Sequence, residues 1–160
     1  MNRKNKGDNT MKIAVACDHG GLLLKNAVMN WLAENGYEAV DFGTDSAASC
    51  DYPDFALKAA EAVAGGECAF GVVVCTTGIG ISIAANKVRG VRCALCSEPF
   101  SAKMTRLHND ANMLALGGGI VGVNLGTEIV KTFLQTPFSA EEKHARRISK
   151  IAAIEEKYCK

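Results

Sequence analysis

The chain has 160 residues, of which 48% are hydrophobic and 22% are charged, and its formal net charge is +1. These values are typical of one globular domain with a hydrophobic core, and they give no sign of binding to nucleic acid or to a membrane surface. No apolar run approaches the roughly 20 residues that cross a bilayer. Residues 1–10 (MNRKNKGDNT) are polar and lack the apolar stretch of a secretory signal. We therefore predict a flexible extension over 1–10 and a single domain over 11–160.

The order of apolar runs predicts strand and helix in alternation. Strands are predicted over 11–17, 37–42, 69–74, 91–96 and 111–116. Helices are predicted over 22–35, 54–64, 80–87, 98–107, 123–134 and 140–157. This alternation predicts an α/β fold: a Rossmann-like α/β/α sandwich with three layers and five parallel strands. In such sheets, ligands bind beyond the carboxyl ends of the strands.

The seven cysteines are an odd number, and most lie in apolar runs. This pattern is typical of reduced, buried thiols in a cytoplasmic protein. Cys93 and Cys96 form a C-x-x-C, but residues three apart in a strand point to opposite faces. Because no second cysteine pair completes a metal site, we predict that both thiols pack in the core.

The stretch VVVCTTGIGISIAANK, at 72–87, carries the strongest chemical signal. Its β-branched run predicts a strand buried on both faces, and Cys75 lies where that strand meets a turn and a helix. The turn over 76–80 is expected to present backbone N–H groups to a phosphate, a carboxylate or a developing oxyanion. Positive potential there favours the thiolate of Cys75, and the Thr77 hydroxyl is placed to hydrogen-bond its sulfur. Cys75 is thus either a packing residue or a base or nucleophile.

Other phosphate-binding motifs do not fit this turn. A Walker loop requires a lysine after the glycines, and the dinucleotide fingerprint requires a third glycine that GIGISI lacks. A cysteine phosphatase would have an arginine six residues after the cysteine, where this chain has Ile81.

The chain has three histidines, and each has both a structural and a functional interpretation. His19 follows Asp18 at the end of the first strand, either as a structural pair or as a ligand-binding pair. His108 ends the fourth helix, where an imidazolium also serves as a simple cap. His144 lies in a basic segment that is either a solvated helix face or a phosphate-binding patch. The cationic residues that share one face of that segment are Lys143, Arg147 and Lys150.

Six motifs occur in an order that resembles the ribose/galactose-phosphate isomerase family, in particular type B ribose-5-phosphate isomerases. They are DHGG at 18–21, DYPDFA at 51–56, CTTGIGISIAANK at 75–87, GVRCALCSEPFSA at 90–102, HNDANML at 108–114 and KHARRISKIAAIE at 143–155. The resemblance covers about 11–158. It implies an aldose–ketose isomerase that interconverts ribose 5-phosphate and ribulose 5-phosphate. It also implies a cytoplasmic homodimer, or a dimer of dimers, with active sites shared between subunits and with no metal or cofactor.

The resemblance also implies roles for individual residues. Cys75 would move a proton between C2 and C1 of the open-chain sugar through a cis-enediolate, with Thr77 supporting the thiolate. His108 would assist opening of the furanose ring, with Asp18 binding hydroxyls nearby. The residues implied to bind the enediolate oxygen and line the sugar are Thr76, Thr77, Gly78, Ile79, Gly80, Tyr52 and Asn109. The residues implied to hold the phosphate are His19 and, from a neighbouring subunit, Lys143, His144 and Arg147.

Three positions depart from the family pattern. Thr76 replaces a usual glycine, Lys143 replaces a usual arginine, and Gly119 stands where an arginine commonly contacts the phosphate. Lysine keeps the charge but loses the bidentate fork of arginine. The small Gly119 leaves room for a six-carbon sugar, so an allose or galactose 6-phosphate isomerase is the alternative. A sugar-phosphate-binding module without turnover is the second alternative.

Overall fold

Strand and helix alternate along the protein, as predicted, in its computed structural model, which describes residues 10–158. Apart from Thr10, the predicted extension over 1–10 lies outside the described residues. The strands are β1 (Lys12–Cys17), β2 (Glu38–Asp41), β3 (Phe70–Cys75), β4 (Cys93–Leu95) and β5 (Met113–Gly117). The helices are α1 (Leu22–Glu34), α2 (Tyr52–Ala64), α3 (Ile79–Ala85), α4 (Pro99–Asn109), α5 (Val123–Gln135) and α6 (Glu142–Tyr158).

The five strands form one sheet in the order β2-β1-β3-β5-β4, and every pairing is parallel. The predicted fold class is therefore confirmed. The chain leaves β1 toward β2 on one side, and β3 then pairs with β1 on the other side. This divergence opens a crevice beyond the carboxyl ends of β1 and β3.

Helices cover both faces of the sheet, because the alternating side chains of each strand are apolar on both faces. Helices α1, α4 and α5 pack on one face against residues such as Val15, Val72 and Leu114. Helices α2 and α3 pack on the other face, against a layer that includes Val73 and Cys75. The sulfur of Cys75 therefore belongs to the face that α2 and α3 cover.

The C-x-x-C residues lie on opposite faces of the sheet, as predicted: Cys96 belongs to the first core cluster, and Cys93 packs against the second. Burial raises the pKa of Cys93 to about 12 and that of Cys96 to about 11. The six cysteines within the described part of the chain are free thiols.

The predicted element boundaries differ from the observed ones by up to two residues, and one predicted turn is a short helix. The predicted strand over 91–96 is only Cys93–Leu95, since it lies at the sheet edge and has a single partner, β5. Residues His19–Gly21, predicted as a plain turn, form a short 3-10 helix. Among the helices of residues 10–158, none has both the length and the apolar character to cross a membrane.

Candidate active site

Three chain segments meet at the carboxyl edge of the sheet. The Asp18 amide donates to the Val74 carbonyl oxygen at 3.2 Å, which joins the end of β1 to the end of β3. The Gly118 amide donates to the Cys75 carbonyl oxygen at 2.8 Å, which joins the loop after β5 to the same point. A side chain at Gly118 would place its Cβ 2.8 Å from the Gly20 carbonyl oxygen. Glycine thus permits the close approach of these backbones.

Cys75 ends β3 with its side chain almost buried, at 4% exposure. Its Sγ accepts a hydrogen bond from the Gly78 amide at 3.1 Å. Gly78 has φ +77°, and a Cβ there would lie 2.5 Å from Leu95 Cδ1 and 2.8 Å from the Leu116 carbonyl carbon. Both the left-handed backbone and the lack of space require glycine at this position. An anionic sulfur accepts such an N–H more strongly than a neutral one, so the turn suits a thiolate.

The threonines of the turn are exposed, and their contacts differ from the expected ones. Thr77 Oγ1 accepts a hydrogen bond from the Ile79 amide at 3.2 Å. No hydrogen bond between Thr77 and the Cys75 sulfur occurs within residues 10–158, and the Gly78 amide takes that place. Thr76 lies against the first turn, because a Cβ on Gly20 would overlap Thr76 Oγ1.

The DH pair of the first turn lies beside this site. Asp18 is 5% exposed, and its Oδ1 accepts from the amides of Gly20 at 2.9 Å and Gly21 at 3.2 Å. His19 Nδ1 accepts a hydrogen bond from the Cys50 amide at 3.3 Å. Because an accepting ring nitrogen carries no proton, the proton of neutral His19 is on Nε2.

Tyr52 reaches the same turn from the start of α2. A Cβ on Gly80 would lie 2.6 Å from Tyr52 Cζ and 2.9 Å from its hydroxyl oxygen, so the phenol lies against Gly80. A cavity of about 370 Å³ opens beside the turn. Its lining includes Thr77, Ile79, Leu95 and Ile120.

The second group of predicted residues lies at the other edge of the sheet. His108 and Asn109 are the last residues of α4. The Asn109 carbonyl oxygen accepts a hydrogen bond at 3.0 Å from Nε of Arg92, the residue just before β4. Between this point and the carboxyl edge runs β5, whose five residues extend over about 13 Å. Within one protomer, His108 and Asn109 therefore lie at the amino edge of the sheet, while Cys75 lies at the carboxyl edge.

The basic segment of α6 joins this second group. The His144 ring stacks on that of His108, with centroids 4.2 Å apart and planes inclined by 12°. Lys143 pairs with Glu141 at 2.8 Å. Arg147 is exposed and makes no ion pair within residues 10–158.

The predicted site residues thus form two groups in one chain. At the carboxyl edge are Asp18, His19, Tyr52, Cys75, Thr76, Thr77, Gly78, Ile79 and Gly80; at the amino edge are His108, Asn109, Lys143, His144 and Arg147.

Sequence reasoning missed Cys50 and Arg106. Cys50 supplies the amide that fixes the His19 ring, and no local signal marks it because the two residues are 31 positions apart. Arg106 is 6% exposed, and its Nη1 donates to Asp110 Oδ1 at 2.7 Å and to the Ala111 carbonyl oxygen at 2.6 Å. It fixes the segment that follows His108. In the sequence, only the position of Arg106 in the last turn of a predicted helix pointed to this role.

Residues 10–158 contain no group of three or more His, Cys, Asp or Glu side chains placed to hold a metal ion.

Known proteins resemble this chain over most of its length. Residues 13–151 match the sequence profile of the family described as Ribose/Galactose Isomerase. The chain is 47% identical over 146 residues to the Escherichia coli K12 protein "Ribose-5-phosphate isomerase B", with 91% of this chain and 97% of that one covered. It is 48% identical over 148 residues to the Bacillus subtilis "Putative sugar phosphate isomerase YwlF", with 92% and 99% covered.

A solved structure also resembles this chain in fold. The solved structure of Clostridium thermocellum ribose-5-phosphate isomerase B superposes with a TM-score of 0.91 at 53% identity, over 92% of this chain and 99% of that one. The chain belongs to the ribose/galactose isomerase family.

Proposed function

We propose that this protein is an aldose–ketose isomerase that interconverts ribose 5-phosphate and ribulose 5-phosphate. One observation carries the proposal: the Cys75 sulfur accepts a hydrogen bond from the Gly78 amide at the crevice between β1 and β3. Relatives named ribose-5-phosphate isomerase B match nearly the whole chain, which supports the same substrate.

Cys75 is the base in this mechanism. Its thiolate removes the proton from C2 of the open-chain aldose, the C–H electron pair forms a C1–C2 double bond, and the carbonyl electrons move to O1. The thiol then returns the proton to C1 while the proton of the C2 hydroxyl passes to O1 and the C2 carbonyl forms. Backbone N–H groups of the turn stabilise the enediolate oxygen between these steps.

The other carboxyl-edge residues bind the sugar. Asp18 presents a carboxylate to the hydroxyls, and His19 presents an Nε2 proton toward the anionic end of the substrate. The Tyr52 phenol lies against Gly80 and forms one wall of the sugar site. Thr76 and Thr77 are exposed at its rim.

The carboxyl-edge group lacks the residues that open the furanose ring and neutralise the phosphate. We assign these roles to His108, Asn109, Lys143 and Arg147 of a second copy of the chain. Exposed apolar side chains beside the turn suit such a contact, including Ile79 at 53%, Leu95 at 42% and Ile120 at 64% exposure. Apolar patches rimmed by polar residues are typical of protein interfaces. The site is thus complete only in a homodimer, in which each copy provides both edges.

Subunit mixing tests this arrangement. Equal amounts of Cys75→Ala and His108→Asn proteins, each inactive alone, are allowed to exchange subunits. If sites form between copies, half of the dimers are mixed and each has one intact site, so about a quarter of the wild-type activity returns. If each site lies within one chain, no mixed dimer has an intact site and activity stays absent.

A hexose phosphate is the alternative substrate. It was suggested by the absence of a side chain at Gly119, but a Cβ there would lie 3.1 Å from the Thr76 carbonyl oxygen and 3.2 Å from Thr76 Cγ2. Thr76 thus occupies part of the space next to Gly119, which favours the smaller pentose.

We expect the protein in the cytoplasm, where its free thiols stay reduced.

Deuterium incorporation from solvent tests the reaction. Purified protein in D₂O receives ribose, allose and galactose phosphates separately, and exchange at the carbon next to the carbonyl is followed by NMR. Exchange with ribose 5-phosphate that is lost in Cys75→Ala supports both the reaction and its base. Exchange with a hexose phosphate alone refutes the pentose assignment. Binding by the dimeric protein with neither exchange nor ketose formation indicates a binding module instead.

A further inference from the structure

The stacked imidazoles of His108 and His144 form a unit in one chain. The near-parallel rings, 4.2 Å apart, are in face-to-face contact. His144 is 4% exposed, whereas His108 is half-buried. His108 is therefore the more accessible of the two rings, and one face of it packs on the buried His144 ring.

His144 is poorly placed to bind an anion. Its Nε2 is buried and has no hydrogen-bond partner within residues 10–158. Burial lowers the pKa of His144, and nearby His108 lowers it further. Lys143 and Arg147 also lower it, and only Glu141 acts in the opposite direction. A neutral, enclosed ring offers little attraction to a phosphate, and the exposed Lys143 and Arg147 retain that role.

We propose that His144 is a positioning residue, which holds the His108 imidazole in one orientation by ring stacking and does not itself bind the phosphate. This proposal rests on the proposed function, in which His108 transfers a proton during opening of the furanose ring. An imidazole at the end of a helix has more than one rotamer, and a flat, buried neighbour removes those that break the stack. Proton transfer requires the ring nitrogen within hydrogen-bond reach of the sugar oxygen, so a loss of orientation lowers its rate.

The two substrates separate this role from the rest of the reaction. Ribose 5-phosphate is mostly a furanose and must be opened. Ribulose 5-phosphate stays open, because the phosphate occupies the oxygen that would close a five-membered ring. Exchange of deuterium into C1 of ribulose 5-phosphate therefore requires Cys75 but no ring opening.

The experiment compares His144→Asn, His144→Phe and the control Arg146→Ala, which changes an exposed residue on the same helix. We expect His144→Asn to lose at least about tenfold in kcat on ribose 5-phosphate, as expected for an impaired proton transfer. Its exchange into ribulose 5-phosphate and its KM should stay within about threefold of wild type, since phosphate contacts are unchanged. His144→Phe retains a flat ring and should recover most of the lost kcat.

Inhibition by inorganic phosphate gives a readout that does not depend on the Asn variant folding. We expect the same inhibition constant for His144→Phe as for wild type. A rise of about tenfold or more in that constant, or in KM for both sugars, would show that His144 binds phosphate and would overturn the proposal. A Phe variant that folds but is as slow as the Asn variant would overturn the stacking role. If the wild-type protein neither interconverts ribose 5-phosphate and ribulose 5-phosphate nor exchanges deuterium into ribulose 5-phosphate, the proposed function itself is refuted, and this proposal with it.

Discussion

Replacement of Gly78 by alanine should damage both stability and catalysis, through two separable effects. The first is the backbone: alanine at φ +77° costs about 1–2 kcal/mol, as for any L-residue in the left-handed region. The second is space, since the new Cβ would lie 2.8 Å from the Leu116 carbonyl carbon, which is backbone and not a flexible side chain. Such overpacking adds about 1–3 kcal/mol, which gives a total of about 2–5 kcal/mol.

Gly36→Ala is the matched control. Gly36 has φ +80°, but nothing lies within 4 Å of its hypothetical Cβ. It follows α1, far from Cys75 in the chain. This variant should therefore lose only the backbone contribution, about 1–2 kcal/mol, and should keep wild-type activity. Urea denaturation at equal protein concentration measures both losses.

The catalytic effect of Gly78→Ala follows from its amide. The clash displaces the N–H that Cys75 Sγ accepts at 3.1 Å. A hydrogen bond to a charged group contributes about 1.5–3 kcal/mol, which corresponds to about a tenfold to hundredfold loss in kcat/KM. The assay is deuterium exchange with ribose 5-phosphate at a temperature where both variants are folded. If Gly78→Ala matches Gly36→Ala in both stability and exchange rate, the argument from space and amide geometry is refuted.

Three further predictions concern the Lys25–Asp41 ion pair, the Cys17 thiol and the His19 ring. Lys25→Met leaves Asp41 without the ammonium that it contacts at 2.6 Å, and urea denaturation should show a loss of about 2–3 kcal/mol in the free energy of unfolding. The double variant Lys25→Met/Asp41→Leu should recover part of that loss, and a double variant no more stable than the single one would contradict this prediction. Burial raises the pKa of Cys17 from 9.0 to about 11, so the native state holds this proton more tightly than the unfolded state, and the free energy of unfolding should fall as pH rises from 9 toward 11. Cys17→Ala should flatten that fall, and an unchanged slope would contradict the assignment. In ¹⁵N-histidine NMR, the His19 ring should show an unprotonated Nδ1, because the Cys50 amide donates to it; a proton on Nδ1 would show that this hydrogen bond is absent in solution.

The sequence was informative where a feature depends on near neighbours in the chain. The run before Cys75 predicted a buried strand, because β-branched apolar residues on both faces leave no solvent-facing side. The glycines at 78 and 80 predicted a turn, and Gly78 does adopt a left-handed backbone. The C-x-x-C at 93 and 96 was correctly interpreted as packing, because the strand period alone separates the two side chains.

The contacts inside the turn were less predictable. The sequence suggested Thr77 as the donor to the Cys75 sulfur, whereas the Gly78 amide donates instead. Both lie within three residues of Cys75, so spacing does not distinguish them. The backbone dihedral of Gly78 decides which group faces the sulfur.

What the sequence determined by itself is the set of strands, the parallel sheet and the glycine-containing turn after β3, because hydrophobic periodicity and turn chemistry are local. It also held an unused signal: His108 directly precedes a parallel strand, which places it at the amino edge. Only the tertiary structure decided that the Cys50 amide orients His19 and that His144 is buried against His108. These contacts join residues more than 30 positions apart, and they depend on how loops and helices pack across the sheet, which no local pattern encodes.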